Sequence, residues 1–464
     1  MPDVHDDVHV VVLAAGVGTR IKSARPKVLH RVAGTPMIAH VLEGAQSLKP
    51  RSVTVVVGHQ ADAIRSALSG QPGLACVVQQ PQLGTGHALL MAEPALGGST
   101  GTVILLSGDV PLLTPKTLQA LLDRHHSTGA AATVLTAVVD SPQGYGRIVR
   151  SGERIARIVE ERDATPAERH IREINSGIYA FALEGLFDAV RAIASENAQR
   201  EYYLPDLVAI FRQLGRGVET ITVANPDEIP GINNRGDLAE VSRIVRQQKN
   251  SELMASGVTI EDPATTYIDR SVAIAADTIV HPGVSLEGGT TIGAGCEIHS
   301  GVRIVNSRIG DRVTILNHCV IADATIGNDV SVGPFAHLRN EAEVRDHARV
   351  GNFVELKRTV LGPGSKAMHL TYLGDATIGE KVNIGAGTIT CNYDGVKKNQ
   401  TVIEDGAFIG SDSQLVAPVT VKKGAYVGSG TTVREDVPSG ALAVSAGKQR
   451  NIDGWVEQKG KRQK

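Results

Sequence analysis

The run Ile268-Asp-Arg-Ser-Val-Ala-Ile274-Ala-Ala-Asp-Thr-Ile-Val280-His-Pro-Gly-Val-Ser-Leu286 returns an aliphatic residue at every sixth position. The beat continues at Ile292, Ile298 and Ile304, and slips by one residue at Ile309 and Ile315 and again at Val320. It then holds through Ile326, Val332, Leu338, Val344, Val350 and Leu356. Leu361, Ala367, Leu373, Ile378 and Ile384 extend it. After an interruption around Cys391–Thr401 it resumes at Ile403 and runs to Val433. Neither helical periodicity nor simple alternation sustains a period of six. Hexapeptide repeats wound into a parallel β-helix do, with the aliphatic residue pointing inward. The Gly that often follows it (Gly293, Gly310, Gly351, Gly410) reads as freedom for a tight corner.

Outside this region the bulk numbers exclude more than they select. A chain of 464 residues has room for several domains. With 47 Lys and Arg against 49 Asp and Glu it is nearly neutral, which points away from nucleic acid. Cys76, Cys296, Cys319 and Cys391 form no CxxC pair, which argues against a zinc ribbon or disulfide framework and for a reducing compartment. The apolar run Val8–Ala15 lacks the cationic flank of a signal peptide. No apolar stretch approaches the roughly 20 residues of a membrane span. A cytoplasmic protein without membrane insertion is expected. The tail Lys448–Lys464, six basic and two acidic residues with the only Trp, reads as solvated.

The first ~230 residues alternate strands and helices. Strands are expected at Val8–Leu13, Val53–Val57, Cys76–Gln79, Val103–Leu106 and Ala132–Val139. Helices are expected at Met37–Gln46, Asp62–Leu68, Gly86–Ala92 and Pro115–His125. Such alternation implies a mostly parallel sheet whose ligands bind at the carboxyl ends of the strands. Three motifs stand there. Leu13-Ala-Ala-Gly-Val-Gly-Thr-Arg20, with Pro26-Lys27 beyond, lacks the third Gly of a dinucleotide fingerprint and the Gly-Lys-Ser/Thr of a Walker loop. It leaves a backbone-rich turn with Arg20 and Lys27 as cations for phosphates. Gln79 and Gln82-Leu-Gly-Thr-Gly-His-Ala88 offer amide and backbone groups to the edge of a base. Asp109, in Ser107-Gly-Asp-Val-Pro111, is a natural Mg²⁺ ligand beside a polyphosphate. Farther on, Gly144-Tyr-Gly-Arg-Ile148, Ile158-Val-Glu160, Glu173-Ile-Asn-Ser-Gly177 and Gly231-Ile-Asn-Asn-Arg235 place glycines, carboxylates and amides where sugar hydroxyls need partners.

The Leu13–Lys27 signature resembles that of the sugar-phosphate nucleotidyltransferases. From Val11 to about Ala446 the chain resembles the family of bifunctional N-acetylglucosamine-1-phosphate uridyltransferase/glucosamine-1-phosphate acetyltransferases, the GlmU family. The resemblance implies an α/β fold. A Rossmann-like nucleotidyltransferase domain with a mixed, mostly parallel sheet is joined by a helix to a left-handed parallel β-helix of hexapeptide repeats. The expected divisions are a uridyltransferase domain over 1–235, a linker helix over 236–256, an acetyltransferase domain over 257–445 and a basic tail over 446–464. On this resemblance Leu13, Ala14, Ala15, Gly16, Lys27, Gln79, Gly84 and Thr85 hold the uridine nucleotide of UTP. Gly146, Glu160 and Asn175 hold the N-acetylglucosamine of N-acetylglucosamine-1-phosphate, and Asp109 and Asn233 coordinate Mg²⁺. Arg20 and Lys27 offset the triphosphate charge during transfer. Ser107 stands where the family more often has Tyr.

In the β-helix, Arg339 and Lys357 are one coil of three hexads apart and should stack, as suits a sugar phosphate. His369 and Tyr372 lie in the next coil. Asn383 and Cys391-Asn-Tyr-Asp394, where a loop breaks the count, would complete a polar pocket, and His369 is a candidate base. The resemblance makes His369 the base that takes the amine proton of glucosamine-1-phosphate. It gives Arg339, Lys357, Tyr372 and Asn383 to the amino-sugar phosphate, and Ala386, Asn392, Tyr393, Ser411 and Ser429 to acetyl-CoA. Ala446 replaces an Arg that contacts coenzyme A in many members, with Lys448 and Arg450 nearby. Homotrimers with acetyl-transfer sites between chains are implied. Four histidines near one coil apart (His281, His299, His318, His337) differ in their distance from the inward residue, so no stack along one edge is expected. The alternative is a sugar-1-phosphate nucleotidyltransferase whose β-helix only regulates or oligomerises.

Overall fold

The structure is a computed structural model that describes residues 7–445, 447 and 449–456. Ala446, Lys448 and residues 457–464 lie outside it. Two compact units divide the chain, Met1–Val245 and Arg246–Lys464. No described helix is long and apolar enough to cross a membrane.

In the first unit the main sheet runs Val218–Thr222, Ala132–Val138, Glu173–Ala182, Thr102–Ser107, Val8–Ala14, Ser52–Val57, Leu74–Val78. Val8–Ala14 pairs in parallel with both neighbours, and Glu173–Ala182 runs antiparallel to both of its own. The hairpin Arg147–Ser151/Arg154–Val159 joins it through Ile174 and Arg147. Successive strand residues face opposite sides. Val10 and Val12 therefore pack with Ile38, Val41, Leu42 and Leu118 of the helices Met37–Ser47 and Pro115–Thr128. Val11 packs on the other face with Leu89, Leu186 and Phe211. Burying each such aliphatic side chain stabilises by about 1.5–3 kcal/mol, which is why strands covered on both faces read as unbroken Val/Ile/Leu. The antiparallel strand is less legible because Asn175-Ser176-Gly177 reads as a turn. In the sheet these residues form the irregularity between Asn175 and Tyr179.

The helix Arg235–Ala255 runs through the division between the units. Val241 and Val245 pack with Ile21, Val32, Met37 and Ile232. Leu253 joins the core of the second unit.

The second unit is a left-handed parallel β-helix of mostly two- and three-residue strands. Ile268 pairs with Leu286, Leu286 with Ile304, Ile304 with Ile321, Ile321 with Leu338 and Leu338 with Leu356, and this column is fully buried. Here the reading from periodicity is corrected. Ile321 points inward, whereas Val320 is 37% exposed, so the slip falls after Ile321. The glycines also act differently from expected. Of those following the inward residue, only Gly333 has a left-handed φ (103°), and the strained corners are taken by residues such as Asp277, His318 and Phe353. Gly410 is needed because a Cβ there would lie 2.5 Å from the Ser429 amide nitrogen of the next coil. The constraint is close coil-on-coil approach, set by the ~4.8 Å spacing of paired strands.

Candidate functional site

At the carboxyl edge of the first sheet a cavity of about 430 Å³ is lined by Leu13, Ala14, Ala15, Gly16, Lys27, Gln79, Gly84, Thr85 and Asp109. These come from the ends of Val8–Ala14, Leu74–Val78 and Thr102–Ser107, neighbours or next neighbours in the sheet. Gln82, Ser107 and Glu201 also line it. Glu201 was missed because its segment carries no strand-end signal. That segment nevertheless fixes the loop: Gly86 N donates to Tyr202 O at 2.8 Å and Tyr202 N donates to Leu83 O at 2.8 Å. Gly84 has φ 105° and a Cβ on it would lie 2.7 Å from Tyr202 O, so this position admits only Gly. Gln79 is buried, and its amide nitrogen donates to Gly84 O at 2.9 Å. Its carbonyl oxygen is left as the acceptor.

Lys27 Nζ lies 2.5 Å from Asp109 Oδ2 and 3.1 Å from Asn233 Oδ1. Arg20 donates to the same Asn233 oxygen at 2.9 Å. Ile232 N donates to Asp109 O, which ties the two ligand-bearing segments together, and the Asn233 amide is capped by Asp237 Oδ2 at 2.8 Å. Two hard oxygens already bridged by one cation are a donor set suited to Mg²⁺. Asp237 was not singled out in the sequence, although its place three residues after Asn234 is a capping signal.

Gly146, Glu160 and Asn175 also come together. Asn175 N donates to Gly146 O at 2.9 Å, and a Cβ on Gly146 would sit 3.1 Å from Glu160 Oε1. Asn175 Oδ1 accepts from Tyr179 Oη at 2.9 Å and Gly177 N at 3.1 Å, which leaves its amide group to donate. Glu160 lines a separate cavity of about 280 Å³ with Asp163, Asn197, Tyr203 and Asp206. Burial first, then Asp163 and Asp206, push its carboxyl above the ordinary range. A folded-state value above the unfolded one means that the native state holds more protons between the two. This group's contribution is therefore most favourable below the unfolded value and is lost as pH rises through the folded one. Glu160→Gln is expected to raise Tm at neutral pH and to flatten its fall with rising pH. Thermal melts against pH check it. A lower Tm with unchanged pH dependence refutes the assignment.

In the β-helix Arg339 pairs directly with Lys357, and Lys357 with Gly374. Arg339 is held by Glu355, Nε to Oε1, at 2.7 Å. Lys357 is buried, and Lys398 beside it, with burial, pulls its ammonium below the ordinary lysine range. The Tyr372 hydroxyl and the Asn392 amide occupy the space a Cβ on Gly374 would need. Asn392 Nδ2 donates to Asp375 Oδ2 at 2.5 Å. Glu355, Asp375 and Lys398 were not foreseen from the sequence.

His369 lies on the same strand as Tyr372 and Gly374, Lys366–Gly374. Its Nδ1 is 2.9 Å from Asn352 Oδ1, one coil below. Asn352, His369, Ala386, Ser411 and Ser429 each lie two residues after an inward position, and those positions (Val350, Ala367, Ile384, Ile409, Val427) pair coil on coil. They form one column. Asn383 pairs with Lys366 and Phe408, and Tyr393 is exposed in the loop, its hydroxyl donating to Gly395 O at 2.6 Å. Asp394 braces that loop by accepting from Val396 N and Lys397 N, which holds its carboxyl down at about 2.

Known protein families match parts of both units. The MobA-like NTP transferase domain family matches residues 10–203, and the GMPPB C-terminal domain family matches residues 268–364. The chain is 52% identical to the protein named "Bifunctional protein GlmU" of Pelobacter propionicus, over 97% of this chain and 98% of that one. It is 50% identical to the proteins of that name from Geobacter metallireducens and Heliobacterium modesticaldum, with the same coverage.

Proposed function

The chain belongs to the family of bifunctional GlmU proteins, and from that premise we propose that it is a two-site transferase making UDP-N-acetylglucosamine. At the second unit the amine of glucosamine-1-phosphate attacks the thioester carbonyl of acetyl-CoA. His369 Nε2 takes the amine proton and the coenzyme A thiol leaves. Asn352 Oδ1 supports this role by accepting from Nδ1–H, which leaves the lone pair on Nε2. Arg339, Lys357, Tyr372 and Asn383 are the residues for the amino-sugar phosphate. Ala386, Ser411 and Ser429, with Asn392 and Tyr393, are those for acetyl-CoA. Membership of this family supports a homotrimer with acetyl-transfer sites between neighbouring chains.

At the first unit a phosphate oxygen of N-acetylglucosamine-1-phosphate attacks the α-phosphorus of UTP and pyrophosphate leaves. Gln79 lines this cavity with its carbonyl oxygen left as an acceptor, which supports a role for it toward the uracil imide. Gly146, Glu160 and Asn175 are the partners of the N-acetylglucosamine. Asp109 and Asn233 would hold Mg²⁺, which when bound offsets the charge of the phosphates. Arg20 and Lys27 add to that charge from the protein.

The column that begins at the oriented imidazole carries the reading. A β-helix that only oligomerised would have no use for it. The test supplies the full-length protein with glucosamine-1-phosphate, acetyl-CoA, UTP and Mg²⁺, and looks for UDP-N-acetylglucosamine that depends on acetyl-CoA. Uridylyl transfer to N-acetylglucosamine-1-phosphate with no acetylation of glucosamine-1-phosphate would leave the β-helix as a regulatory or oligomerising module.

A further inference from the structure

The first coils of the β-helix take no part in either site, yet they carry one polar cluster of unusual geometry. Glu261, His281 and His299 each directly follow an inward residue (Ile260, Val280, Ile298), and those residues pair coil on coil. Contrary to the expectation from the four histidines together, His281 and His299 stack, with ring centroids 4.6 Å apart and planes 14° from parallel. His318 stacks on Phe335 instead. Glu297 stands two residues before His299, so strand alternation puts both on the same outer face.

His281 Nε2 is 3.1 Å from Glu297 Oε1, and His299 Nε2 is 3.4 Å from the same oxygen. Among the described residues, this is the one group of three or more His, Cys, Asp or Glu whose ligand atoms all lie within 4.8 Å of one another. Donors bound tetrahedrally at metal distances of about 2.0–2.1 Å are about 3.3 Å apart, which the two measured separations bracket. On its other side His281 Nδ1 is 2.9 Å from Glu261 Oε2. A neutral imidazole has one N–H. If Nδ1 donates to Glu261, the Nε2 lone pair faces the Glu297 carboxylate, and the contact needs a positive charge between them. A carboxylate on the far nitrogen is the arrangement that fixes the tautomer and orientation of metal-binding histidines.

We propose that His281, Glu297 and His299 bind one divalent transition-metal ion of the zinc type, with Glu261 orienting His281 and water filling the fourth position. Two imidazoles and one carboxylate favour such an ion over Mg²⁺ or Ca²⁺, which prefer all-oxygen sites. The ligands come from adjacent coils, so the ion clips the first coils of the β-helix together and its binding adds to native-state stability.

The test uses the full-length chain carrying Asp109→Ala, which removes a ligand of the other metal centre. It is stripped with chelator and titrated with Co²⁺ or Zn²⁺ alone. One ion per chain is expected, with the intense visible absorption of tetrahedral Co²⁺ and a Tm raised by Zn²⁺. His281→Gln/His299→Gln should lose both signals and weaken binding at least about 100-fold. Glu261→Gln should weaken it about 10–100-fold. Acetyl transfer in the same variants shows that the chain is folded. The proposal is overturned if the parent binds no ion, the cluster then being held by a protonated His281 alone, or if the double variant binds as the parent does.

Discussion

Replacing His369 by Ala is expected to lower the acetyl-transfer rate by about 10²–10⁴, the usual contribution of a positioned general base, while uridylyl transfer stays at the parent level. His369 is exposed and its one resolved side-chain partner is Asn352. Truncating an exposed side chain away from caps and cores usually costs no more than about 0.5 kcal/mol, so the loss cannot come from unfolding. The uridylyl activity of the same sample makes that check internal. Asn352→Ala separates positioning from chemistry. Without the Oδ1 acceptor both tautomers of the imidazole are populated, so a smaller loss of kcat than in His369→Ala is expected. Normal acetyl transfer by His369→Ala would remove the β-helix site from the proposed mechanism.

Asp109→Ala should have the opposite pattern. It removes one of two oxygens that Lys27 bridges, at 2.5 Å, and with it the carboxylate that would hold the metal beside the triphosphate. Lewis-acid stabilisation of phosphoryl transfer amounts to several kcal/mol, so a loss of about 10³-fold or more in uridylyl transfer is expected. Asp109→Asn keeps the shape and one acceptor oxygen but loses the charge. Its rate should fall nearly as far, and raising Mg²⁺ should recover only part of it. Acetyl transfer should be untouched in both, because Asp109 and His369 belong to different compact units. Uridylyl transfer by Asp109→Ala at the parent rate and Mg²⁺ dependence would rule out this metal centre.

Much of the molecule was legible before any coordinates. The strands around Val8–Ala14 read directly because both faces are buried and every position favours aliphatic residues. The β-helix read because one inward residue per hexad is almost fully excluded from water. Arg339 over Lys357 followed from counting coils. The failures share a cause. Val320 and Ile321 are both aliphatic, and only burial tells which one turns inward. Asn352, Glu355, Asp375 and Lys398 contact residues 16 or more positions away or across the loop, where residue types carry no pairing information.

The sequence by itself determined the two architectures, the residue types at the sheet's carboxyl edge and the coils that carry Arg339, Lys357 and His369, because these depend on local periodicity and on short motifs next to strands. Only the tertiary structure decided what those residues do to one another. It put the Lys27 ammonium between Asp109 and Asn233, turned the Asn352 carbonyl toward His369, and stacked His281 on His299 beside Glu297. Those are contacts between residues distant in the chain. They depend on which way each side chain points from its coil or strand, and a one-residue slip in register would exchange inward and outward faces.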